Sequence, residues 1–397
     1  MRIDTDSKLS PPGVSRYESL DCIRGIAACI VMVGHTLPAF YSASLIRFFW
    51  LPPVAFIFSG HQAVLLFFVL SGFSLFLMFD SMSGVPHASL KFVAARWIRL
   101  YPAYILSVAF AVVVYWVLRH EQFAWPGNLY PTAATFTPHD ILQHVLLIGA
   151  FDPNLYNPVL WSIVLEMRIS ILFPLLYLLV LRSPATTLIT ATAFSLVIAG
   201  WTFHTTTAMG FDGVQNVPFS VISTAYHSTF FIFGAVLARF RSGLVRRITS
   251  ASGAMTIAFL VLCLGMYTYS PAGLSQAQGR TITLGDLILS DLLGGAASCG
   301  LILLALAFPV LARIAPLRWL GRISYSVYLM HFTLLESLIV LFAGSVAASL
   351  LTGIIFTCAL LAATLVWKYV DTPAIELSRV VRKFGRSRGA AVLRHTT

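Results

Sequence analysis

Residues 62–80 read Gln-Ala-Val-Leu-Leu-Phe-Phe-Val-Leu-Ser-Gly-Phe-Ser-Leu-Phe-Leu-Met-Phe-Asp, a run with no charge until Asp80 closes it. A helix needs about 20 mostly apolar residues to cross a bilayer, and this stretch supplies them. Working outward, comparable segments lie near 22–41, 100–118, 159–181, 185–203, 217–238, 251–269, 284–308, 323–342 and 346–367. The expected fold is therefore all-α, a polytopic integral membrane protein with about ten transmembrane helices. Composition agrees: of 397 residues 58% are apolar and only 10% charged, against roughly 45–50% and 25% in soluble domains. Mean hydropathy is +0.84. So few charges cannot cover a soluble globule of this size.

The 26 Lys and Arg set the orientation, because cytoplasmic loops retain positive charge. With a cytoplasmic N-terminus, the inner segments hold Arg2, Lys8 and Arg16, then Lys91, Arg96 and Arg99, then Arg182 and the cluster Arg239 to Arg247. They also hold Arg313, Arg318, Arg322 and the tail from Lys368 onward, whereas the opposite loops hold only Arg47, Arg119 and Arg280. Both termini are expected inside. The formal charge of +11 is then topological, and no nucleic-acid partner is implied. The organisation that follows is a polar cytoplasmic segment 1–18, a membrane domain 19–377 and a basic cytoplasmic tail 378–397. Met1 to Leu20 lacks the apolar core of a signal peptide, so the first helix is expected to stay in the mature protein. The five cysteines are scattered without a Cys-x-x-Cys pair, and no metal site is expected. No internal repeat of the transporter kind is visible. The long outer segment His120 to Pro158 is expected to form a partly ordered cap.

Titratable groups inside spanning helices are costly, which makes each a functional candidate. They are Arg24, His35, Glu166, Arg168, His227, Asp286, Asp291, His331 and Glu336. Asp286 and Asp291 lie near the outer end of their helix, where local pairing or water accounts for them. His227 fits a hydrogen-bonded histidine of the bundle. Arg24 and His35 are more informative: eleven residues apart, they are separated by about 16.5 Å and roughly 1100°, three turns plus 20°, and share one face. Snorkelling would explain Arg24 alone. Glu166, about 12 Å below the outer boundary, and His35, about 9 Å below it, can meet at one depth, giving an imidazole–carboxylate pair suited to a general base or to a proton relay. Arg96 and Arg99, at i and i+3 beside Lys91, present two guanidinium groups able to fork onto phosphate oxygens. Positive-inside anchoring is the plain alternative.

Five segments carry a family resemblance. They are Leu20-Asp21-Cys22-Ile23-Arg24-Gly25 with His35; Phe67 to Phe73; Arg96-Trp97-Ile98-Arg99-Leu100-Tyr101-Pro102; Trp161-Ser162 to Glu166 with Phe173-Pro174; and Ile323 to His331. In this order they resemble the acyltransferase 3 family of bacterial membrane O-acyltransferases, over about Arg16 to Leu377. The resemblance implies that Arg24 and His35 are required, with His35 catalytic. It associates Arg96 and Arg99 with the acyl-CoA donor and matches Glu166 to the family's glutamate. Two departures stand out. Met167-Arg168-Ile169-Ser170 replaces the second acidic residue and Phe-Tyr of many members, and Asp371-Thr372-Pro373 stands for Glu-x-Pro. The extracytoplasmic domain fused to some members is not expected.

The function implied is transfer of an acyl group, acetyl being the expected one, from cytosolic acyl-CoA to a hydroxyl of a carbohydrate or glycolipid on the outer side of a bacterial inner membrane. Acyl-CoA enters as donor substrate, and no bound cofactor is expected. The catalytic assignment is His35, Glu166 and Arg24, and the donor-binding assignment Arg96 and Arg99. Ser324, Tyr325 and His331 are candidate walls of the site, interhelical hydrogen bonding being the alternative for them. The competing function is a proton-coupled transporter or flippase with a His35/Glu166 relay.

Overall fold

A computed structural model describes residues 17–40, 55–118, 137–147, 157–205, 217–269, 283–342 and 344–383. These residues form α-helices and no strands: α1 Glu18–Thr36, α2 Ala55–Phe58, α3 Gly60–Asp80, α4 Ala88–Leu118, α5 Pro138–Leu146, α6 Leu160–Arg182 and α7 Pro184–Thr205. They continue with α8 Val217–Thr249, α9 Gly253–Thr268, α10 Leu284–Ala307, α11 Ala315–Phe342, α12 Ala348–Val366 and α13 Thr372–Lys383. Among the described residues nine helices are long and apolar enough to cross a membrane, the last counted as α12 continued into α13. The tenth expected segment is α9, a shorter apolar helix of 16 residues. The multi-pass, all-α fold read from hydropathy is the fold observed. The expected cap within 120–158 is described only over 137–147, where it contains α5, and at 157–158; the rest lies outside the described residues.

Helix ends differ instructively from the apolar runs. α4 begins at Ala88 rather than near 100, α8 runs on to Thr249, and α11 begins at Ala315. Each extension carries two or more arginines (Arg96 and Arg99; Arg239, Arg241, Arg246 and Arg247; Arg318 and Arg322), which a helix accepts readily but a hydropathy count reads as loop. Two interior prolines, Pro102 in α4 and Pro174 in α6, are accommodated without ending their helices.

The chain divides into two compact units, residues 1–70 with 240–328, and residues 71–239 with 329–397. In the first, α1 packs beside α2 and α10, and α9 lies along α10. Glycine sets the closest approach: a Cβ on Gly25 would lie 2.6 Å from the backbone nitrogen of Gly321, and one on Gly321 would lie 2.4 Å from the carbonyl oxygen of Asp21. In the second unit α4 packs against α6 and α13, and α6 against α7. A Cβ on Gly72, in the 62–80 run, would overlap the Phe231 carbonyl of α8 at 2.0 Å. α12 passes into α13 through a π-helical turn, Trp367–Asp371, where the Thr372 hydroxyl donates to the Trp367 carbonyl five residues back at 2.9 Å.

These crossings predict a graded response to alanine. Gly25→Ala and Gly72→Ala force backbones apart and destabilise by about 1–3 kcal/mol or more, read as a lower melting temperature in detergent. Gly353→Ala, with nothing within 4 Å of the added methyl, leaves melting unchanged or raises it.

Candidate functional site

The second unit places a buried ion pair within the span. Arg96 of α4 is 8% exposed and its Nη2 donates to Oε1 of Glu166 on α6. The same carboxylate oxygen accepts from the Ser71 hydroxyl of α3 at 2.8 Å. Arg96 Nε donates to Ser170 Oγ at 3.4 Å, and Ser170 in turn donates to the Glu166 carbonyl at 2.7 Å. Three helices thus converge on one charge pair near the middle of α3. Hydropathy began that helix near 100; the structure begins it at Ala88, so Arg96 is held within α4 and is buried against its neighbours. Glu166, matched in sequence to an imidazole, is held by Arg96 and Ser71. The signal for this pair was present: an arginine in an apolar environment needs a counter-ion, and Glu166 is the acidic residue of α6. Arg99, one turn further along α4, is half-buried.

Arg168 of α6 ties down the short helix α5. Its Nε and Nη2 donate to the Leu147 carbonyl at 3.2 and 2.8 Å. The hydroxyls of Tyr101 and Tyr104 donate to the carbonyls of Val145 and His144 at 2.7 and 3.0 Å. Carbonyls that the last turn of a helix leaves unpaired are satisfied by side chains of α4 and α6. At its other end Thr137 and Asp140 form a reciprocal capping box, whose hydrogen bonds hold the Asp140 carboxyl below the usual range. His144 is fully buried, and burial pushes its pKa down to about 4.

In the first unit Arg24 Nη1 pairs with Asp21 Oδ1 at 2.5 Å one turn earlier on α1, both side chains partly exposed. His35 occupies the last turn of α1 and is half-buried. Asp286 closes the capping box of α10, its carboxylate accepting from the backbone N–H of the N-cap residue Thr283 at 2.9 Å, so the local reading holds for it. Asp291 does not fit that reading: it is buried and bonded to His61 Nε2 on α3 at 2.6 Å. Sequence reasoning missed His61 because it sits one residue ahead of the apolar run. Ser324 donates to the Gly321 carbonyl of its own helix at 2.9 Å, Tyr325 is half-buried, and His331, in the second unit, is buried. His227 is fully buried, its Nδ1 on the Ser223 carbonyl at 2.8 Å and its ring 5.5 Å from that of Trp161, a bundle histidine. Among the described residues no cluster of three or more His, Cys, Asp or Glu is placed to hold a metal ion.

Fold and helix composition together define a multi-pass, all-α membrane protein. The family model described as an acyltransferase domain, acyltransferase 3, matches residues 17–370, nearly the whole chain, and the protein belongs to that family. It is accordingly an acyltransferase of the membrane-embedded kind. No curated protein and no solved structure shows significant similarity to it.

Two measurements test these geometries. Arg96→Ala strands the Glu166 carboxylate and costs about 3–5 kcal/mol, whereas Arg96→Ala with Glu166→Ala recovers much of the loss; a guanidinium serving only as a surface ligand gives no such coupling in thermal melts. For His144 the native pKa of about 4 lies below the unfolded 6.5, so the unfolded chain binds the extra proton. The stability from keeping it neutral is complete above pH 6.5 and falls away toward pH 4, by at most about 3 kcal/mol. Hydrogen exchange over residues 137–147 accelerates through that window, and His144→Phe flattens the acceleration.

Proposed function

We propose that this acyltransferase takes its acyl group, acetyl, from cytosolic acyl-CoA and delivers it to a hydroxyl of a carbohydrate or glycolipid on the outer side of a bacterial inner membrane. The observation that carries the reading is family membership over 17–370 together with the Arg24/His35 stripe on α1. His35 is the residue assigned to the transfer itself, either as base or as acyl carrier. Arg24 stands about 16.5 Å from it along the helix, at the cytosolic end. Its pairing with the partly exposed Asp21 is worth little in water and yields readily to a phosphate.

Arg96 and Arg99 are assigned to the donor's phosphates. In that role Glu166 and Ser71 fix the Arg96 guanidinium in one orientation, and Arg99, three residues on, supplies the second fork. In this reading Glu166 acts through the donor-binding arginine it holds. Ser324, Tyr325 and His331 retain a secondary role as walls, with Ser324 held by its own backbone. Acyl-CoA is a substrate in this scheme, and the protein's groups supply positioning and proton transfer.

The test is the O-acetyl content of surface glycans, by mass spectrometry, in a deletion strain complemented with wild type, His35→Ala or Arg99→Ala. His35→Ala lowers acetylation by at least about 100-fold at normal protein level. Arg99→Ala raises the acetyl-CoA concentration needed for half-maximal transfer in membranes. Full acetylation by His35→Ala overturns the catalytic assignment, and altered uptake or export with unchanged acylation points to the transporter function instead.

A further inference from the structure

The end of the first unit where α1 finishes and α3 begins holds a second imidazole with a carboxylate behind it. His61 Nε2 lies 2.6 Å from Asp291 Oδ1; the Asp291 side chain is 7% exposed and that of His61 37%. A carboxylate only accepts, so Nε2 carries the shared proton and the basic lone pair of the neutral ring is on Nδ1. A buried acid orienting a more accessible imidazole is the arrangement a general base needs.

His35 is close by. A Cβ on Gly34 would lie 3.9 Å from the Gly60 Cα and 3.9 Å from the Phe58 carbonyl oxygen, and one on Gly60 would lie 4.0 Å from the Val31 Cα. The two chain segments therefore meet at a pair of glycines, and each glycine is followed directly by a histidine. Consecutive Cα atoms are 3.8 Å apart, so the Cα atoms of His35 and His61 are separated by at most roughly 13 Å. The two histidines therefore sit at the same end of the first unit, on neighbouring chain segments.

Holding α3 to α10 does not require this pair. Gly294, three residues beyond Asp291, already brings the helices together, since a Cβ there would lie 3.1 Å from Leu65 and 3.2 Å from Gln62. A part-exposed imidazole–carboxylate pair adds little stability compared with apolar contacts of similar volume. A polar pair at this position calls for a chemical role.

We propose that His61 and Asp291 form the acid–base pair that handles the proton of the acceptor hydroxyl, an inference that rests on the acyl-transfer function above. As the acceptor oxygen bonds to the acyl carbon, its O–H bond breaks and the proton passes to His61 Nδ1. The bond from the acyl carbon to its donor atom breaks, that atom keeps the electron pair, and it receives the proton from His61. The sum is acyl donor plus alcohol giving ester plus protonated donor, with no redox change. Asp291 is the positioning residue, keeping the imidazole in the tautomer and orientation the step needs.

The test uses the full chain in membrane vesicles carrying their endogenous surface glycan, with labelled acetyl-CoA as probe. His61→Gln keeps a donor for Asp291 but cannot take up the proton. It is expected to bind acetyl-CoA within about twofold of wild type, to melt normally, and to transfer label at least about 100-fold more slowly. Added imidazole restores part of the transfer to His61→Ala. Asp291→Asn lowers turnover about tenfold while leaving the KM for acetyl-CoA unchanged. Wild-type transfer by His61→Gln, with His35→Ala inactive, overturns this assignment and leaves the acyl-transfer function standing. A His61→Gln protein that melts early and no longer binds acetyl-CoA makes the pair a structural staple and overturns it too, as does a folded His61→Ala that imidazole does not rescue. Absence of label transfer by the wild-type protein overturns the underlying function itself.

Discussion

A charge inside a hydrocarbon slab has to bring its own solvation, and this constraint organises the second unit. The Arg96–Glu166 pair, completed by Ser71 and Ser170, joins α3, α4 and α6 at one point. Removing any one polar partner leaves the others facing lipid or apolar side chains, where each unsatisfied group costs several kcal/mol. The pair is therefore both a junction of helices and a means of presenting a guanidinium in fixed orientation. The same economy appears where Arg168, Tyr101 and Tyr104 collect the end of α5: groups that would be expensive alone are used to finish one another's hydrogen bonds.

Close backbone approach does the complementary work. Lipid tails are as apolar as Leu, so helix association in a membrane relies on tight packing rather than on expulsion of water. Gly25, packed against Gly321, and Gly72, packed against Phe231, lie within segments that carry the family resemblance. Those glycines are explained by packing, and the polar residues beside them by chemistry. Arg24 immediately precedes Gly25, and Ser71 immediately precedes Gly72. Sequence motifs of this kind are composite, a fixed crossing with a functional group riding on it.

Hydropathy alone was enough to recover the helical, multi-pass fold, because twenty apolar residues have few other ways to exist. Charged helix extensions escaped it. Arg96 looks like surface in a count of apolar residues and is a buried residue of α4 once that helix is followed back to Ala88. Local pairings such as the Asp286 cap were legible, since Thr283 stands three residues away. Pairings across the chain were not: nothing near Asp291 in sequence points to His61, 230 positions earlier, and nothing near Glu166 distinguishes Arg96 from any other arginine. Residue type revealed which groups demand partners, and only the fold reveals which partners they have.

The π-helical turn at Trp367–Asp371 fixes the rotational phase of everything after it. A π turn accommodates one residue more than the α-helix it interrupts. Loss of a single residue there would let the helix run on unbroken and turn α13 by about 100° about its axis. Ala374 and Ser378, the buried positions of α13, would leave their places, and a basic flank would swing toward α4, the helix along which α13 packs. This stretch therefore tolerates substitution far better than it tolerates a change of length, as a phasing element does and a linker does not.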